Sequence, residues 1–182
     1  MPKKFITELG FILTRKLHDI RLRTVLPHIN GKLLDIACGW NQLVREYYKS
    51  GTGVDISSYG YEDIQVAKDF SHLDFEDATF DTITILAALN HIPNREKVLK
   101  EVFRLLKKDG RIIITMIPPR FSKFWHFIRR PWADEIEKDF EHGQVFGIDD
   151  KELTRLLQEH GFKIILKKKF MLRINTMIIA KK

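Results

Sequence analysis

The feature of this sequence that most constrains the fold is a regular alternation of short apolar segments with segments of helical periodicity. Five apolar runs have the length of strands that are buried on both faces, and they lie at residues 33–37, 53–56, 64–67, 80–86 and 111–117. Helical spacing follows two of these runs, at 41–50 and after Asn94. Strands that alternate with helices form a largely parallel sheet with helices on both faces. The alternation therefore predicts an α/β chain.

The C-terminal part of the chain predicts a change of strand direction. A helix that begins after Asp149 leads to two strands near 163–168 and 174–180. The link between these two strands is too short for a crossover, so they are expected to pair antiparallel. The segment 56–63 is also shorter than a parallel crossover needs, and a loop or a stunted helix is expected there. The sequence thus predicts seven strands, mostly parallel, with an antiparallel C-terminal strand.

Length and composition limit the number of domains and the kinds of site. A chain of 182 residues with one cysteine, Cys38, is expected to form one domain without a disulfide or a cysteine-based metal site. Residues 1–29 predict a leading amphipathic helix, and 119–148 form an insert. No apolar run approaches the roughly 20 residues that span a bilayer, which favours a cytoplasmic protein. No metal site is predicted.

Two motifs place candidate ligand-binding groups at strand ends. The first is the run Leu-Leu-Asp-Ile-Ala-Cys-Gly-Trp-Asn at 33–41, in which a strand turns into a helix around Gly39. Such a turn exposes backbone N–H groups, and its small residues let a ligand approach closely. The second is Asp55 at the end of the second strand, where a carboxylate can accept hydrogen bonds from both hydroxyls of a ribose.

Two further motifs follow along the chain. One is Asp69-Phe70, which precedes the segment Leu-Asp-Phe-Glu-Asp-Ala-Thr-Phe-Asp at 73–81. The other is the fourth strand with its loop, 80–93, where Ala87 and Ala88 are small and His91 follows. Small residues at the carboxyl end of such a strand leave room for a ligand.

Together the four motifs resemble those of the class I S-adenosylmethionine-dependent methyltransferases, in particular the small-molecule group that includes quinone and biotin-pathway enzymes. The resemblance covers about residues 30–118 by motif and 149–182 by element order. It implies a Rossmann-like methyltransferase fold with S-adenosyl-L-methionine as the cofactor. A nicotinamide-dependent dehydrogenase fits less well, because Gln42 stands where the dinucleotide fingerprint has its third glycine.

The resemblance also implies roles for individual residues. Asp35 would lie near the amino group of the cofactor, and Asp69 with Phe70 would meet the adenine. Ala37 and Asn41 stand in place of the outer glycines of the family motif, and asparagine tolerates the left-handed conformation that glycine adopts there. The predicted cofactor-binding residues are Asp35, Ala37, Gly39, Asn41, Asp55, Ile56, Asp69, Phe70, Ala87 and Ala88.

The acceptor side leaves several alternatives open. His91 has two interpretations, a structural histidine bonded to the loop backbone or the catalytic base. Other candidates for a base are His126, Tyr47 and Tyr59. The insert 119–148 is expected to shape the site of a small-molecule acceptor, because its basic and aromatic residues suit an anionic or lipid-like molecule or contact with a membrane surface. The weaker alternatives are an RNA or protein methyltransferase and a protein that binds the cofactor without catalysis. Binding to nucleic acid is not expected.

Overall fold

The computed structural model of the chain describes residues 2–47, 50–123 and 145–182. The helices are α1 (Pro2–Val25), α2 (Gln42–Tyr47), α3 (Arg95–Leu105) and α4 (Asp150–Glu159). The strands are β1 (Lys32–Ile36), β2 (Ser50–Asp55), β3 (Ile64–Val66), β4 (Phe80–Leu86), β5 (Leu106–Met116), β6 (Lys163–Phe170) and β7 (Asn175–Lys181). The insert predicted at 119–148 lies largely outside the described residues, since 124–144 are not among them.

The seven strands form one sheet in the order β3-β2-β1-β4-β5-β7-β6. All neighbouring pairs are parallel except those of β7, which runs antiparallel to both β5 and β6. The predicted mostly parallel sheet with an antiparallel C-terminal strand is confirmed. The strand order reverses direction between β1 and β4, and ligands of open α/β sheets bind outside the carboxyl ends of the strands at such a point.

Both faces of the sheet are covered by apolar side chains. On one face, Leu22 and Val25 of α1 pack with Leu33, Ile113 and Ile179. The opposite face packs against α3 and α4, whose buried residues include Val98, Leu99, Val102, Leu153 and Leu157. Full burial of one such side chain contributes about 1.5–3 kcal/mol, so the two layers fix the sheet and hold its strand ends in place.

One boundary differs clearly from the prediction. The fifth strand was expected to start at Arg111, because Asp109-Gly110 is a pair typical of turns, but β5 already begins at Leu106, which pairs with Phe80. The register then shifts between Phe80 and Thr82, and Asp109 takes a left-handed φ of 65°. The residues that suggested a turn are therefore an irregularity inside the strand.

The loop between β2 and β3 agrees with the prediction, and the starts of α3 and α4 differ in how they are capped. Residues 56–63 between β2 and β3 contain no helix. Asp149 caps α4, since its side chain accepts from the N–H groups of Lys151 and Glu152. Asn94 is the N-cap residue before α3, but its side chain makes no capping bond and donates to Asp69 instead.

None of the helices in the described part of the chain combines the length and apolar character that crossing a bilayer requires.

Candidate cofactor-binding site

The turn after β1 has three alternating left-handed residues. Ala37, Gly39 and Asn41 have φ values of 57°, 56° and 57°, and the turn is held by hydrogen bonds from Cys38 N to Val54 O and from Asn41 N to Cys38 O. A left-handed alanine costs about 1–2 kcal/mol, so the conformation is imposed by the surroundings. A Cβ added at Gly39 would meet no atom of the described chain within 4 Å. The surface above the turn is therefore open to a ligand.

Asp55 joins the end of β2 to this turn. Its Oδ2 accepts the N–H of Gly39 at 2.8 Å, and its Oδ1 accepts the N–H of Ile56 at 2.7 Å. The hydroxyl of Tyr59 donates to Oδ1 at 3.4 Å. A carboxylate has about four acceptor positions, so Asp55 keeps acceptor capacity for hydroxyl groups of a ligand although it is only 5% exposed.

Asp35 is a second carboxyl group close by, in the strand next to β2. It is 3% exposed, and its Oδ1 accepts from Thr84 Oγ1 at 2.6 Å. Burial raises the pKa of Asp35 to about 7. The hydrogen bond from Thr84 lowers this pKa, and the charge of Asp55 raises it further. A cationic ligand group would favour the ionised form, so this carboxyl is suited to an ammonium group.

Asn41 does more than replace a glycine of the family motif. Its Nδ2 donates to the carbonyl oxygen of Asp63 at 2.9 Å and to Asp63 Oδ2 at 3.1 Å. Arg45 holds the same carboxylate through two bonds of 2.8 and 2.7 Å. A Cβ on Gly53 would collide with the Asn41 side chain. Asn41 thus attaches the short 56–63 loop to the start of α2.

The predicted adenine pair lies beside a surface cleft. Phe70 is buried in the core, while Asp69 accepts hydrogen bonds from Asn94 Nδ2 and from Ser71. The bonds from Asn94 and Ser71 lower the pKa of Asp69. The cleft has a volume of about 320 Å³, and its lining includes Asp69, Val54 and Phe75. An adenine-sized ring system has space at this edge.

Sequence reasoning missed the support of the loop at 73–77. Glu101 is 5% exposed and its Oε1 accepts the N–H of Leu73 at 2.8 Å. Arg104 donates to both oxygens of Glu101, to Asp77, and to the carbonyl oxygens of Leu73 and Phe75. A charged residue on the apolar face of α3 was the signal in the sequence that could have revealed this cluster.

The end of β4 brings in the remaining predicted residues. Ala87 is left-handed with a φ of 54°, and its N–H donates to the carbonyl oxygen of Thr115 at 2.9 Å. Ala88 packs against the core, and His91 is exposed in a short 3-10 turn. Among the other candidate bases, Tyr47 is buried and donates to the carbonyl oxygen of Gly31, whereas His126 lies outside the described residues.

The donor set fits an adenosyl sulfonium that carries an amino acid. Gly39 and Asp55 are in direct contact, Asp35 lies on the adjacent strand, and Ala87 follows β4 on the other side of β1. In the described chain, no group of three or more His, Cys, Asp or Glu side chains could hold a metal ion.

Comparison with known proteins agrees with this geometry. A family model described as "Methyltransferase domain" matches residues 34–114, which include the glycine turn, Asp55 and β4. A structure of an S-adenosylmethionine-dependent methyltransferase from Methanosarcina mazei superposes with a TM-score of 0.64 at 24% identity, over 87% of this chain and 96% of that one. Residues 34–114 thus resemble a methyltransferase domain, and the seven-stranded sheet has the Rossmann-like fold of these enzymes. The matched domain and the similar structures support S-adenosylmethionine as the cofactor.

Two curated relatives have named activities. The demethylmenaquinone methyltransferase of Thermotoga maritima is 25% identical over 73% of this chain and 70% of the relative. A ubiquinone/menaquinone biosynthesis C-methyltransferase of Geotalea daltonii is 31% identical over 65% and 59%. The chain thus spans 70% of the length of the first relative and 59% of the length of the second.

Proposed function

We propose that this protein transfers a methyl group from S-adenosylmethionine to a small, aromatic, lipid-like acceptor of the quinol class. The proposal for the donor rests on one observation: the Asp55 carboxylate, bonded to Gly39, borders an open surface above the glycine turn. The proposal for the acceptor is supported by the names of the relatives from Thermotoga maritima and Geotalea daltonii.

In the proposed complex, each chemical group of the cofactor contacts a different set of residues. Asp35 would bind the ammonium group, and Asp55 the ribose hydroxyls. Ile56, which is 58% exposed, would cover one face of the adenine. Asp69 and the backbone N–H of Phe70 would meet its polar edge. Ala37, Gly39 and Asn41 would shape the turn around the cofactor, and Ala87 with Ala88 would leave space beside β4.

Methyl transfer depends on the alignment of the acceptor atom with the methyl group, and it needs no covalent intermediate with the protein. Bound S-adenosylmethionine supplies a methyl group on a sulfonium, whose leaving group departs as a neutral thioether. The protein must hold the acceptor atom in line with the methyl carbon, at about 3–3.5 Å. An acceptor that enters with its proton needs a base. We propose that His91, which is exposed after the end of β4, accepts that proton.

The acceptor site is proposed to lie on the side of residues 119–148, within a single domain of residues 1–182. The described part of this segment supports a site for an anionic aromatic molecule. Arg120 lies 5.1 Å from the centre of the Phe121 ring, and Lys123 lies 5.7 Å from that of Phe146. Cations next to aromatic rings suit a phenolate or a carboxylated ring. A cytoplasmic location is part of the same proposal.

The test is a transfer assay with methyl-labelled cofactor. The acceptors are a short-chain demethylated naphthoquinol kept reduced, a phenolic acid, bulk RNA and a denatured protein mixture. We expect label in the naphthoquinol, and loss of that transfer in the Asp55→Ala variant. Label in RNA or protein, with none in either small molecule, would reject the proposed acceptor. In that assay His91→Gln should lower kcat and leave cofactor affinity unchanged, and a high pH that ionises the acceptor without a base should restore part of kcat.

A further inference from the structure

The hairpin between β6 and β7 ends in an exposed apolar tip formed by residues 171–174, here called the hairpin tip. Leu172 is 94% exposed, which is the highest exposure among the large apolar side chains of the described chain, and Ile174 is 36% exposed. A single exposed apolar residue is ordinary on a protein surface, but two of them close together at the end of a hairpin indicate a contact.

The backbone of the hairpin tip is unusual for its residue types. Met171, Leu172 and Arg173 have φ values of 48°, 52° and 66°, and Ile174 N donates to the carbonyl oxygen of Met171 at 3.0 Å. Glycine and asparagine adopt this left-handed conformation with little penalty, whereas other residues do not. A turn that keeps large side chains despite the penalty suggests that these side chains serve a contact.

The surroundings of the hairpin tip are strongly basic. Residues 163–182 contain seven lysines and arginines and no acidic residue. Lys167, Lys168 and Lys169 are exposed along β6, and Arg173 is exposed in the tip itself. Lys167 and Lys169 share one carboxylate, Asp150, at 3.7 and 3.2 Å. Because Asp150 balances only part of the charge of these lysines and Arg173, net positive charge remains beside the apolar side chains.

The hairpin tip lies at the same edge of the sheet as the cofactor site. The antiparallel register joins Met116 at the end of β5 to Thr176 at the start of β7. The residues that precede Thr176 therefore project beyond the carboxyl ends of the parallel strands. Gly39 and Ala87 follow the carboxyl ends of β1 and β4, and Asp55 ends β2. A surface that contacts the tip would face this edge of the sheet.

We propose that the hairpin tip docks the protein on an anionic lipid bilayer. Leu172 and Ile174 enter the boundary between headgroups and acyl chains, while Arg173 and the lysines of β6 contact lipid phosphates. A narrow tip supplies far less than the roughly 1,600 Å² that a stable protein interface buries, and two basic tips repel each other. A bilayer is therefore the favoured occupant over a second copy of the chain. The inference does not depend on the identity of the methyl acceptor.

The test is flotation of the full chain with lipid vesicles. Vesicles of 30% phosphatidylglycerol in phosphatidylcholine should carry the protein upward, and pure phosphatidylcholine should carry much less. The double variant Leu172→Ser/Ile174→Ser, and separately Arg173→Glu, should each lower the partition coefficient about tenfold or more. Matched controls lie on the same strand away from the tip: Ile165→Ser and Lys163→Glu should bind like the parent protein.

A second readout reports insertion directly. Cys38 is buried, so a Leu172→Cys variant can be labelled at the tip with an environment-sensitive fluorophore. Its emission should shift to shorter wavelength with the anionic vesicles. Unchanged cofactor affinity and thermal midpoints in all variants separate docking from folding. No flotation with anionic vesicles, equal loss in the Ile165 and Lys163 controls, or a concentration-dependent dimer that the tip variants dissociate would each overturn the proposal.

Discussion

The Asp55 carboxylate accepts the backbone N–H of Gly39 at 2.8 Å, which ties the end of β2 to the turn after β1. The turn therefore keeps its open shape in a chain where only the middle residue of the alternating motif is glycine. Asp55 has two tasks in this account: it holds the turn, and it offers its remaining acceptor positions to the ribose.

Replacement of Asp55 by alanine should weaken binding of S-adenosylmethionine by 10-fold to 100-fold. This range corresponds to the loss of one hydrogen bond to a charged acceptor, which contributes about 1.5–3 kcal/mol. Titration calorimetry measures the affinity. Glu62→Ala, an exposed acidic residue in the following loop, is the control and should bind normally. Equal affinity of the Asp55 variant and the parent would remove Asp55 from the site.

Replacement of Asp35 by asparagine should stabilise the protein at pH 8 more than at pH 5. The folded pKa of Asp35 is raised to about 7 from 3.8, so ionisation opposes folding progressively as the pH rises from 4 to 7. One pKa unit corresponds to about 1.4 kcal/mol, which gives a limit of about 4 kcal/mol above pH 7 and under half of that at pH 5.

Asparagine keeps the acceptor for Thr84 without the charge, so the same Asp35 variant should bind the cofactor more weakly. Urea unfolding at the two pH values measures the stability difference, and calorimetry measures the affinity. A stability gain that does not change with pH would show that the Asp35 carboxyl is not titrating in this range.

Gly53→Ala should destabilise the parent protein by about 1–3 kcal/mol, because the added methyl group collides with the Asn41 side chain. In the Asn41→Gly background the penalty should shrink by about 1 kcal/mol or more, although Cys38 Sγ still lies 2.9 Å from the added Cβ. Gly51→Ala, whose Cβ would approach Val44 at 3.0 Å, is the control and should show no such coupling. Additive effects at positions 41 and 53 would contradict the contact.

Arg104→Ala should cost about 2–4 kcal/mol of stability, since it removes the cation that pairs with the buried Glu101 carboxylate and the donor to two carbonyl groups. Burial by itself would raise the pKa of Glu101, but hydrogen bonds from Arg104 and Leu73 lower it. This contribution is present above the ordinary glutamate pKa and is lost as the pH falls through the lowered folded value.

The matched control for that variant is Arg155→Ala, which breaks an exposed ion pair with Glu159. It should change the unfolding free energy by at most about 1 kcal/mol. Urea unfolding at pH 7 and pH 4 checks both variants, and the Arg104 effect should be smaller at pH 4. Equal effects of the two variants would mean that the Glu101 cluster does not support the loop.

The succession of strands and helices along the chain could be predicted because its causes are local. Apolar runs of strand length, the cap at Asp149 and the short link before β7 each act within a few residues, and all agree with the structure. The start of β5 could not be predicted, since Asp109 and Gly110 normally mark a turn. Pairing of Leu106 with Phe80, 26 positions earlier in the chain, overrides that local preference.

The residues of the site were predicted from the sequence, but the hydrogen bonds and contacts that join them were not. Asn41 was expected to tolerate a left-handed φ, and it does, at 57°. Its bonds to Asp63 and its packing over Gly53 depend on where the 56–63 loop folds, which no local pattern specifies. Glu101 and Arg104 likewise act through long-range contacts with the loop at 73–77.

A crystal structure of the complex with S-adenosylhomocysteine tests the central claim most directly. The account predicts ribose hydroxyls within hydrogen-bond distance of Asp55, the amino group beside Asp35, and the chain of the ligand over Gly39 towards Ala87. Ligand density elsewhere on the protein, or Asp55 without a ligand contact while the product is bound, would contradict it.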